Sequence, residues 1–175
     1  GDSDETPVHS VTVSSFYMCD HEVTQAEFSE IMGTNPSYFD GTSGKEAATG
    51  ETQGNRPVEK VRWYDALVYC NKRSMAENLT PCYTIGGSTN PAYWGTVPTS
   101  SNSTWNAATC NFSANGYRLP TEAEGEDIAR GGNNGIPATQ TTYSGSNNIG
   151  DVTWYYDNSG NKTHEVKLND PNSLG

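Results

Sequence analysis

Three histidines, His9, His21 and His164, are the side chains best suited to acid–base chemistry near neutral pH, and they lie far apart along the chain. No serine, cysteine or carboxylate accompanies them in a spacing that would mark a nucleophile and its base. The sequence therefore predicts histidines at the surface or on edge strands, and it identifies no catalytic residue.

A run of potential metal ligands, Cys19-Asp20-His21-Glu22, follows the first apolar segment. In an extended segment neighbouring side chains point to opposite faces, so at most two of these four share a side. Because metal sites usually draw more ligands than that from the protein, the sequence identifies no metal-ligating and no cofactor-binding residue.

The four cysteines, Cys19, Cys70, Cys82 and Cys110, include no CxxC pair that could begin a zinc site or a redox motif. Four thiols allow three fully paired disulfide patterns, and the sequence does not choose among them. Free buried thiols are an equally simple interpretation. The disulfide state therefore stays open at this point.

Acidic side chains crowd one short segment, at Glu122, Glu124, Glu126 and Asp127. Paired carboxylates can perform acid–base catalysis, but the first two lie in the opening turn of a predicted helix, where negative charge complements the helix dipole. Glu124 also completes a Thr-x-x-Glu capping box. The pattern therefore predicts a structural capping role for this cluster.

Two aromatic clusters could contact a ligand: Trp154-Tyr155-Tyr156 and Tyr93-Trp94. Exposed aromatic side chains often mark surfaces that recognise sugars or peptides. In a strand, half of the first cluster must point inward, so we expect Trp154 to pack in the core. The second cluster lies in a predicted loop and its role stays open, so the ligand-binding residues are unknown from sequence.

Charge and hydropathy exclude several classes of function. The 175 residues carry 10 Lys plus Arg and 21 Asp plus Glu, for a net charge of -11. This sign does not suit binding to phosphates or to an anionic bilayer, so nucleic acid is excluded as a partner. No apolar run approaches the roughly 20 residues of a transmembrane helix, and the acidic start, Gly1 to Thr6, does not resemble a signal peptide.

Composition predicts a loop-rich, exported protein. Gly (18), Ser (17), Thr (20) and Asn (17) together make up 72 of the 175 residues. These residues favour turns, caps and local side-chain hydrogen bonds over long regular elements. Only five Lys are present, and this composition is typical of the surface of an exported protein. We expect a single domain over residues 1–175, because the length suits one core and no linker divides the chain.

Three amphipathic helices are predicted. A Thr-x-x-Glu capping box begins the first, which ends at Gly33. The second and longest begins at Trp63 and runs to about Asn78. The third covers residues 122–130, after a second capping box. The buried face of the second helix is expected to consist of Ala66, Leu67, Cys70 and Met75.

Strands are predicted to outnumber helices in an α+β fold. The segments with strand-like patterns are Val8 to Met18, Thr80 to Ile85, Thr104 to Phe112, Val152 to Tyr156 and His164 to Leu168. Residues 157–161 (DNSGN) lack the alternating acids and closing Glu of an EF-hand and are predicted to form a turn. The stretch from Gly33 to Asn55 is predicted to be a surface loop packed by Tyr38 and Phe39.

Three blocks together resemble the formylglycine-generating-enzyme family, also called the sulfatase-modifying-factor domain. The blocks are residues 9–24 (HSVTVSSFYMCDHEVT), 57–71 (PVEKVRWYDALVYCN) and 118–132 (RLPTEAEGEDIARGG). The resemblance implies a loop-rich C-type-lectin-like fold, with short helices around a small antiparallel sheet. It extends to residues 171–175 (PNSLG) and implies that the family's Gly-Asn-x-Trp-Glu-Trp motif comes after this chain.

Enzymes of this family use a cysteine pair in their C-terminal third to bind copper and oxidise a substrate cysteine. None of the four cysteines here matches that pair, so the resemblance assigns no catalytic residue to this chain. No cofactor is predicted in it either, although the resemblance leaves calcium open for the whole domain. Gly125 and Asp127 stand where the family has Trp and Tyr, which predicts a weakened or repacked third helix.

The same fold variant serves bacterial variable proteins that are diversified by diversity-generating retroelements. This chain resembles them in residues 58–83 (VEKVRWYDALVYCNKRSMAENLTPCY) and 109–124 (TCNFSANGYRLPTEAE). The resemblance implies a non-catalytic ligand-binding scaffold of a bacterial cell-surface or periplasmic protein. Its diversified site would lie after residue 175, any lipid anchor would lie outside this chain, and its ligand would be a protein or small molecule. The alternative is a copper-dependent formylglycine-generating oxidase that acts on sulfatase cysteines.

Overall fold

The computed structural model describes residues 10–132 and 141–174 of the chain. These residues form two compact units. One comprises the described residues of the ranges Gly1–Asp20, Pro120–Val152 and Asp170–Gly175, and the larger one comprises His21–Leu119 and Thr153–Asn169. Within the described ranges, no helix has both the length and the apolar content to cross a membrane.

The first helix, α1, covers Gln25–Met32 and confirms the predicted capping box. The Thr24 side chain accepts a hydrogen bond from Glu27 N, and the Glu27 carboxylate accepts one from Thr24 N at 2.9 Å. Gly33 ends the helix with a positive φ of 76°, a conformation that glycine adopts without steric cost. Local sequence therefore determines both ends of α1.

The longest helix, α2, covers Trp63–Ala76. Leu67 and Cys70 are buried, as predicted. Met75 is 44% exposed, and its predicted place on the buried face is wrong. It follows Cys70 by five residues, which is a rotation of about 140° around the helix axis.

The hydrophobic core of the larger unit forms around α2 and is rich in aromatic rings. The Trp105 ring centroid lies 5.3 Å from that of Tyr64 and 5.8 Å from that of Trp94, within the range at which aromatic pairs attract. The buried members of this core are Tyr64, Leu67, Val68, Cys70, Tyr83, Ile85, Trp94 and Trp105.

The sheet is much shorter than the sequence predicts. Strand β1 (Tyr83–Thr84) pairs antiparallel with β2 (Thr109–Cys110). The predicted strand beginning at Thr104 is wrong in its first half, where residues Ser103–Asn106 form a short helix, α3. The Asn102 side chain accepts hydrogen bonds from the first backbone N–H groups of α3, so a local cap overrides the strand propensity of this segment.

Helix α4 covers Glu122–Ala129 and confirms the second capping box. The Thr121 side chain accepts from Glu124 N, and the Glu124 carboxylate accepts from Thr121 N at 2.8 Å. The helix forms although Gly125 lies in its interior. A Cβ built at Gly125 would meet no atom within 4 Å, so the surroundings do not require a glycine there.

Three predicted strands are wrong in the part of the chain that the structure describes. Residues 10–18 form no strand, while Val8 and His9 lie outside the described residues. Val152 ends a short helix, α5 (Ile149–Val152), and residues 153–156 and 164–168 form turns and irregular segments. Helices therefore outnumber strands among the described residues, contrary to the expectation, although the α+β class is confirmed.

The turn at residues 157–161 is present, and it explains why the segment before it, residues 153–156, is not a strand. Asn158 Oδ1 accepts from Tyr155 N at 2.7 Å, and Asn158 Nδ2 donates to Thr153 O at 3.0 Å. These side-chain bonds take up backbone groups that a strand would use for pairing. Asn161 then adopts a positive φ of 58°, which asparagine tolerates better than most residues.

A buried amide holds the long loop that precedes α2. The Gln25 side chain is 2% exposed, although it belongs to α1. Its Nε2 donates to Phe39 O at 3.1 Å, and its Oε1 accepts from Asn35 Nδ2 and from Gln53 Nε2, each at 2.9 Å. The loop predicted to pack only through Tyr38 and Phe39 is therefore held by hydrogen bonds as well.

A buried guanidinium completes this network. Arg56 is 0% exposed. Its Nε donates to Thr163 O at 3.1 Å, and its Nη1 donates to Lys45 O at 2.9 Å and to Gln53 Oε1 at 2.8 Å. The same group lies 5.4 Å from the centroid of the Phe39 ring. Arg56 thus connects chain segments that are more than 100 residues apart in sequence.

Two carboxylates join the same segments in a reciprocal arrangement, which we call the Glu51–Glu165 clasp. Glu51 Oε1 lies 2.6 Å from His164 Nδ1, and Glu51 Oε2 accepts from Glu165 N at 3.1 Å. In return, Glu165 Oε2 accepts from Thr52 N at 2.8 Å and Glu165 Oε1 accepts from Asn55 Nδ2 at 2.7 Å. The segment around residue 165 is therefore fixed mainly by side chains, together with one backbone hydrogen bond, from Val166 N to Asn55 O at 3.0 Å.

Replacement of Asn71 should show how strongly the fold depends on buried amides. Asn71 is 0% exposed, its Nδ2 donates to Tyr83 O and to Thr89 O at 2.7 Å each, and its Oδ1 accepts from Tyr83 N at 3.0 Å. We expect Asn71→Ala to lower the free energy of unfolding by about 2–4 kcal/mol, because two backbone groups of the buried Tyr83 and the carbonyl of Thr89 lose their partners. Urea denaturation measures this loss. The exposed neighbour variant Lys72→Ala should change it by less than about 0.5 kcal/mol, and equal effects would contradict the assignment.

Two glycine substitutions should act in opposite directions. A Cβ at Gly116 would lie 2.3 Å from Thr80 O and 2.6 Å from Ser74 Oγ, so Gly116→Ala should destabilise the fold by about 2 kcal/mol or more. Gly125→Ala in α4 meets no neighbour and should stabilise by about 0.5–1 kcal/mol through helix propensity. Thermal unfolding of both variants measures the difference. Stabilisation by Gly116→Ala would show that the close contact is absent.

Candidate functional site

An open cavity of about 380 Å³ lies beside the N-terminal end of α2. Its walls are residues 62–64, residues 98–101 and Asn106, all within the larger unit. This volume is near the lower end of the range of small-molecule sites, about 300–1,000 Å³. The cavity is therefore a candidate functional site within the described residues.

One wall of the cavity carries an ion pair that is already satisfied. Arg62 precedes α2, and its Nε and Nη2 donate to the Asp65 carboxylate at 2.8 Å and 3.2 Å. Its Nη1 donates to Pro98 O at 3.1 Å and so ties the helix to the opposite wall. The charge of Arg62 is thus balanced by Asp65, and the cavity carries little net charge.

The other wall is fixed by a hydroxyl. Tyr64 is buried, and its Oη accepts from Asn102 N at 3.0 Å and hydrogen-bonds to Asn106 Oδ1. Asn106 Nδ2 in turn donates to Ser101 Oγ at 3.0 Å. The walls are therefore connected by the protein's own hydrogen bonds before any ligand is present.

The groups that line the cavity suit binding rather than covalent chemistry. Trp63 is 48% exposed, and Thr99, Ser100 and Ser101 present hydroxyls on an exposed segment. The lining includes no thiol, imidazole or carboxylate that could activate one of these hydroxyls. An indole ring, hydroxyls and amides can hold a ligand by stacking and hydrogen bonding.

The structure joins none of the four cysteines in a disulfide, which was the question that the sequence left open. Burial raises the pKa of Cys70 to about 12, and burial also raises the pKa of Cys82. Both thiols therefore stay protonated near neutral pH, and a thiol is a much weaker nucleophile and metal ligand than a thiolate.

His164 is not a surface or edge-strand histidine, so that prediction is wrong for it. Its side chain is only 10% exposed, because it lies between Glu51 and Ser159 O, whose oxygen is 2.8 Å from Nε2. The Trp154 ring stacks on it at a centroid distance of 3.9 Å. Trp154 itself is 38% exposed, so its predicted place in the core is also wrong. Both side chains support the Glu51–Glu165 clasp.

The run from Cys19 to Glu22 forms no metal centre. Within residues 10–132 and 141–174, no group of three or more His, Cys, Asp or Glu side chains could hold a metal ion. His21 instead lies 3.4 Å from Glu27, which belongs to the capping box of α1. His9 lies outside the described residues.

The acidic cluster of α4 has the structural role that was predicted. Glu124 closes the capping box, and Glu126 pairs with Arg130 at 2.6 Å. Of the two aromatic clusters, Tyr93 is 79% exposed whereas Trp94 is buried, and Tyr156 is 84% exposed. None of these side chains lines the cavity.

Sequence reasoning missed Trp63 and the segment at residues 98–101. The helical pattern identifies Trp63 only as the start of α2, and it assigns no role to residues 98–101. Trp63 is the first residue of α2 and comes one position before its buried face begins. This position was the one sequence feature that could have indicated an exposed indole.

The model of the sulfatase-modifying factor enzyme 1-like domain matches residues 1–174. The chain belongs to this family. The family expectation drawn from the three sequence blocks is thus confirmed.

Solved structures support the same assignment. The chain is similar to Treponema denticola variable protein 1, with a TM-score of 0.76, 44% identity, and coverage of 88% of this chain and 55% of that one. It is also similar to CarF, with a TM-score of 0.60, 29% identity, and coverage of 89% and 60% of the two chains. The fold is that of the variable-protein members of the family.

A curated relative is similar in sequence. The chaperone protein LppX of Paenibacillus barcinonensis is 46% identical over 156 residues, which cover 87% of this chain and 48% of LppX. The chain spans about half the length of this relative and little more than half of the two solved structures.

Acid should weaken the Glu51–Glu165 clasp. Hydrogen bonds from Asn55 and from Thr52 N lower the pKa of Glu165 below its usual value of 4.5. A carboxyl whose pKa is lower in the folded state stabilises the fold above pH 4.5, and this contribution is lost as the pH falls through the folded-state pKa. We expect Glu165→Gln to lower the melting temperature at pH 7 and to reduce its further fall between about pH 5 and pH 3.

Melting curves of both proteins across this pH range measure the effect. Glu22→Gln is the matched control, because the exposed Glu22 carboxylate makes no hydrogen bond within the described residues. If the two variants had the same pH profile, Glu165 would not act through the clasp.

Proposed function

We propose that this chain is the scaffold of a non-catalytic, ligand-binding variable protein. The observation that carries the proposal is the similarity to Treponema denticola variable protein 1, at 44% identity over 88% of the chain. As the resemblance to proteins diversified by retroelements implies, the positions that vary between copies would lie after residue 175.

The buried polar side chains that stabilise the fold support a role as a scaffold. The side chains that fix its loops are buried and polar, and most of their partners are backbone groups: Gln25, Arg56, Asn71 and Ser74 are each at most 2% exposed. Of the described residues that these side chains bond, only Asn35 and Thr89 are exposed. Exposed positions can therefore change without loss of the fold, because surface substitutions usually alter stability by less than about 0.5 kcal/mol.

The alternative is a copper-dependent oxidase that acts on sulfatase cysteines, and the match to the sulfatase-modifying factor enzyme 1-like domain favours it. Copper(I) prefers thiolate ligands. Cys70 and Cys82 are buried thiols with raised pKa, so they do not fit such a site. Neither Cys70 nor Cys82 is therefore proposed to take part in an oxidation.

The relatives bear on location and partner. A bacterial cell-surface or periplasmic protein agrees with the composition, in which Lys is scarce and Gly, Ser, Thr and Asn abound. The relative LppX is named a chaperone, which favours a protein among the classes of ligand. No residue of this chain is proposed as a calcium ligand.

Copper titration and a cysteine-oxidation assay on the protein as encoded distinguish the two functions. We expect no stoichiometric copper(I) uptake and no conversion of a cysteine in a sulfatase-derived peptide, because the buried thiols here stay protonated. Tight uptake of one copper ion together with conversion would overturn the scaffold proposal. The variant Cys70→Ser should not change either result.

The encoding DNA offers an independent test. Reading onward from the codon for Gly175 should show positions that differ from those of a nearby near-copy of the same DNA. A constant sequence with a closely spaced cysteine pair would instead favour the oxidase.

A further inference from the structure

The indole of Trp63 is an exposed aromatic surface on a rigid support. It is 48% exposed, although it adjoins the core at the first residue of α2. Its ring centroid lies 5.6 Å from that of Tyr64 at an interplanar angle of 55°. Because Tyr64 is buried and hydrogen-bonded, it fixes the backbone from which Trp63 projects.

The charges at the cavity favour an uncharged ligand. Arg62 is the charged residue in the lining, and three of its N–H groups are taken by Asp65 and by Pro98 O. An anion would have to approach a guanidinium that a carboxylate already neutralises, in a protein with a net charge of -11. A cation would find no carboxylate in the lining, because Asp65, the partner of Arg62, is not part of it.

The polar groups favour a ligand with several hydroxyls. The hydroxyls of Thr99 and Ser100 make no hydrogen bond to any described residue, and each can donate one hydrogen bond and accept two. A ligand that offers both donors and acceptors on one edge and an apolar C–H face on the other would match them and the indole together. A sugar ring has both surfaces.

The shape of the cavity disfavours a peptide. Each wall is a segment of only three or four residues, residues 62–64 and residues 98–101, and neither is a strand. An extended peptide gains affinity chiefly by adding to an exposed sheet edge or by filling an elongated groove. Neither feature is present at these walls.

From these observations we infer that the cavity beside α2 binds a neutral mono- or disaccharide, with Trp63 as the stacking surface and Thr99 and Ser100 as hydrogen-bonding groups. The walls are held by the Arg62–Pro98 and Tyr64–Asn106 hydrogen bonds, so little ordering is needed on binding. This site goes beyond the proposed scaffold function and does not depend on any position after residue 175.

Ligand-observed saturation-transfer NMR with glucose, galactose, N-acetylglucosamine and maltose tests the inference on the protein as encoded. We expect saturable binding of at least one of these sugars, with the same affinity at low and high salt, because the ligand is neutral. Trp63→Ala should weaken that binding about tenfold or more through loss of stacking. Thr99→Val should weaken it about threefold or more through loss of a hydroxyl.

Two matched variants control for general effects on the surface. Tyr93→Ala removes a more exposed aromatic ring, and Thr104→Val removes an exposed hydroxyl, and neither residue lines the cavity. Both should bind as the unaltered protein does. Melting temperatures should show that all four variants remain folded.

Three outcomes would overturn the inference. The first is no saturable response to any of the four sugars by the folded protein. The second is equal affinity in the Trp63→Ala variant and the unaltered protein. The third is tighter, salt-sensitive binding of glucuronate or glucose 6-phosphate than of the neutral sugars, which would assign an anion site instead. None of these results would affect the proposed scaffold function, whose tests concern copper and the encoding DNA.

Discussion

Burial of one guanidinium is the constraint on which the larger unit depends. Arg56 has no exposed surface, and a buried charge is costly unless hydrogen bonds surround it. The chain satisfies it by bringing Lys45 O, Gln53 and Thr163 to the same point. Arg56 Nη2 is buried without a hydrogen-bond partner among the described residues. Part of the free-energy cost of removing this group from water therefore remains uncompensated. The Arg56 guanidinium therefore determines how these irregular segments are placed, since no regular ladder of backbone hydrogen bonds connects them.

Buried polar side chains also explain how the described part of the chain, with its two-stranded sheet, keeps its loops in place. Gln25, Asn71 and Ser74 each bond backbone groups of segments remote in sequence, as in the 3.0 Å bond from Tyr83 N to Asn71 Oδ1. Such bonds replace sheet pairing. The cavity follows from the same design, because Arg62 and Tyr64 hold its walls from α2. Polar side chains thus determine the position of the candidate site as well as the fold.

What could be predicted from the sequence is what local sequence determines. The capping boxes at Thr24 and Thr121 satisfy groups three residues away, so their patterns identify both helix starts. Arg56 could not be foreseen as buried, because an arginine in a polar loop ordinarily lies at the surface. The strand patterns failed where side chains of Asn102 and Asn158 take backbone hydrogen bonds. The two aromatic clusters in the sequence lie outside the cavity. Trp63 could not be predicted as a site residue, because the site forms only where residues 98–101, distant in sequence, lie beside it.

The Glu51–Glu165 clasp also sets an order in which the chain can acquire its structure. Its contacts join residues 113 positions apart, so a long loop must close before they form. Closing such a loop lowers the conformational entropy of the chain before the stabilising contacts can form. Helices α1 and α2 form contacts between residues that are much nearer in sequence. The helical part of the larger unit is therefore expected to assemble first, and the segment around residue 165 to join it in a late step. That late step makes the same segment the natural first point of local opening in the folded protein.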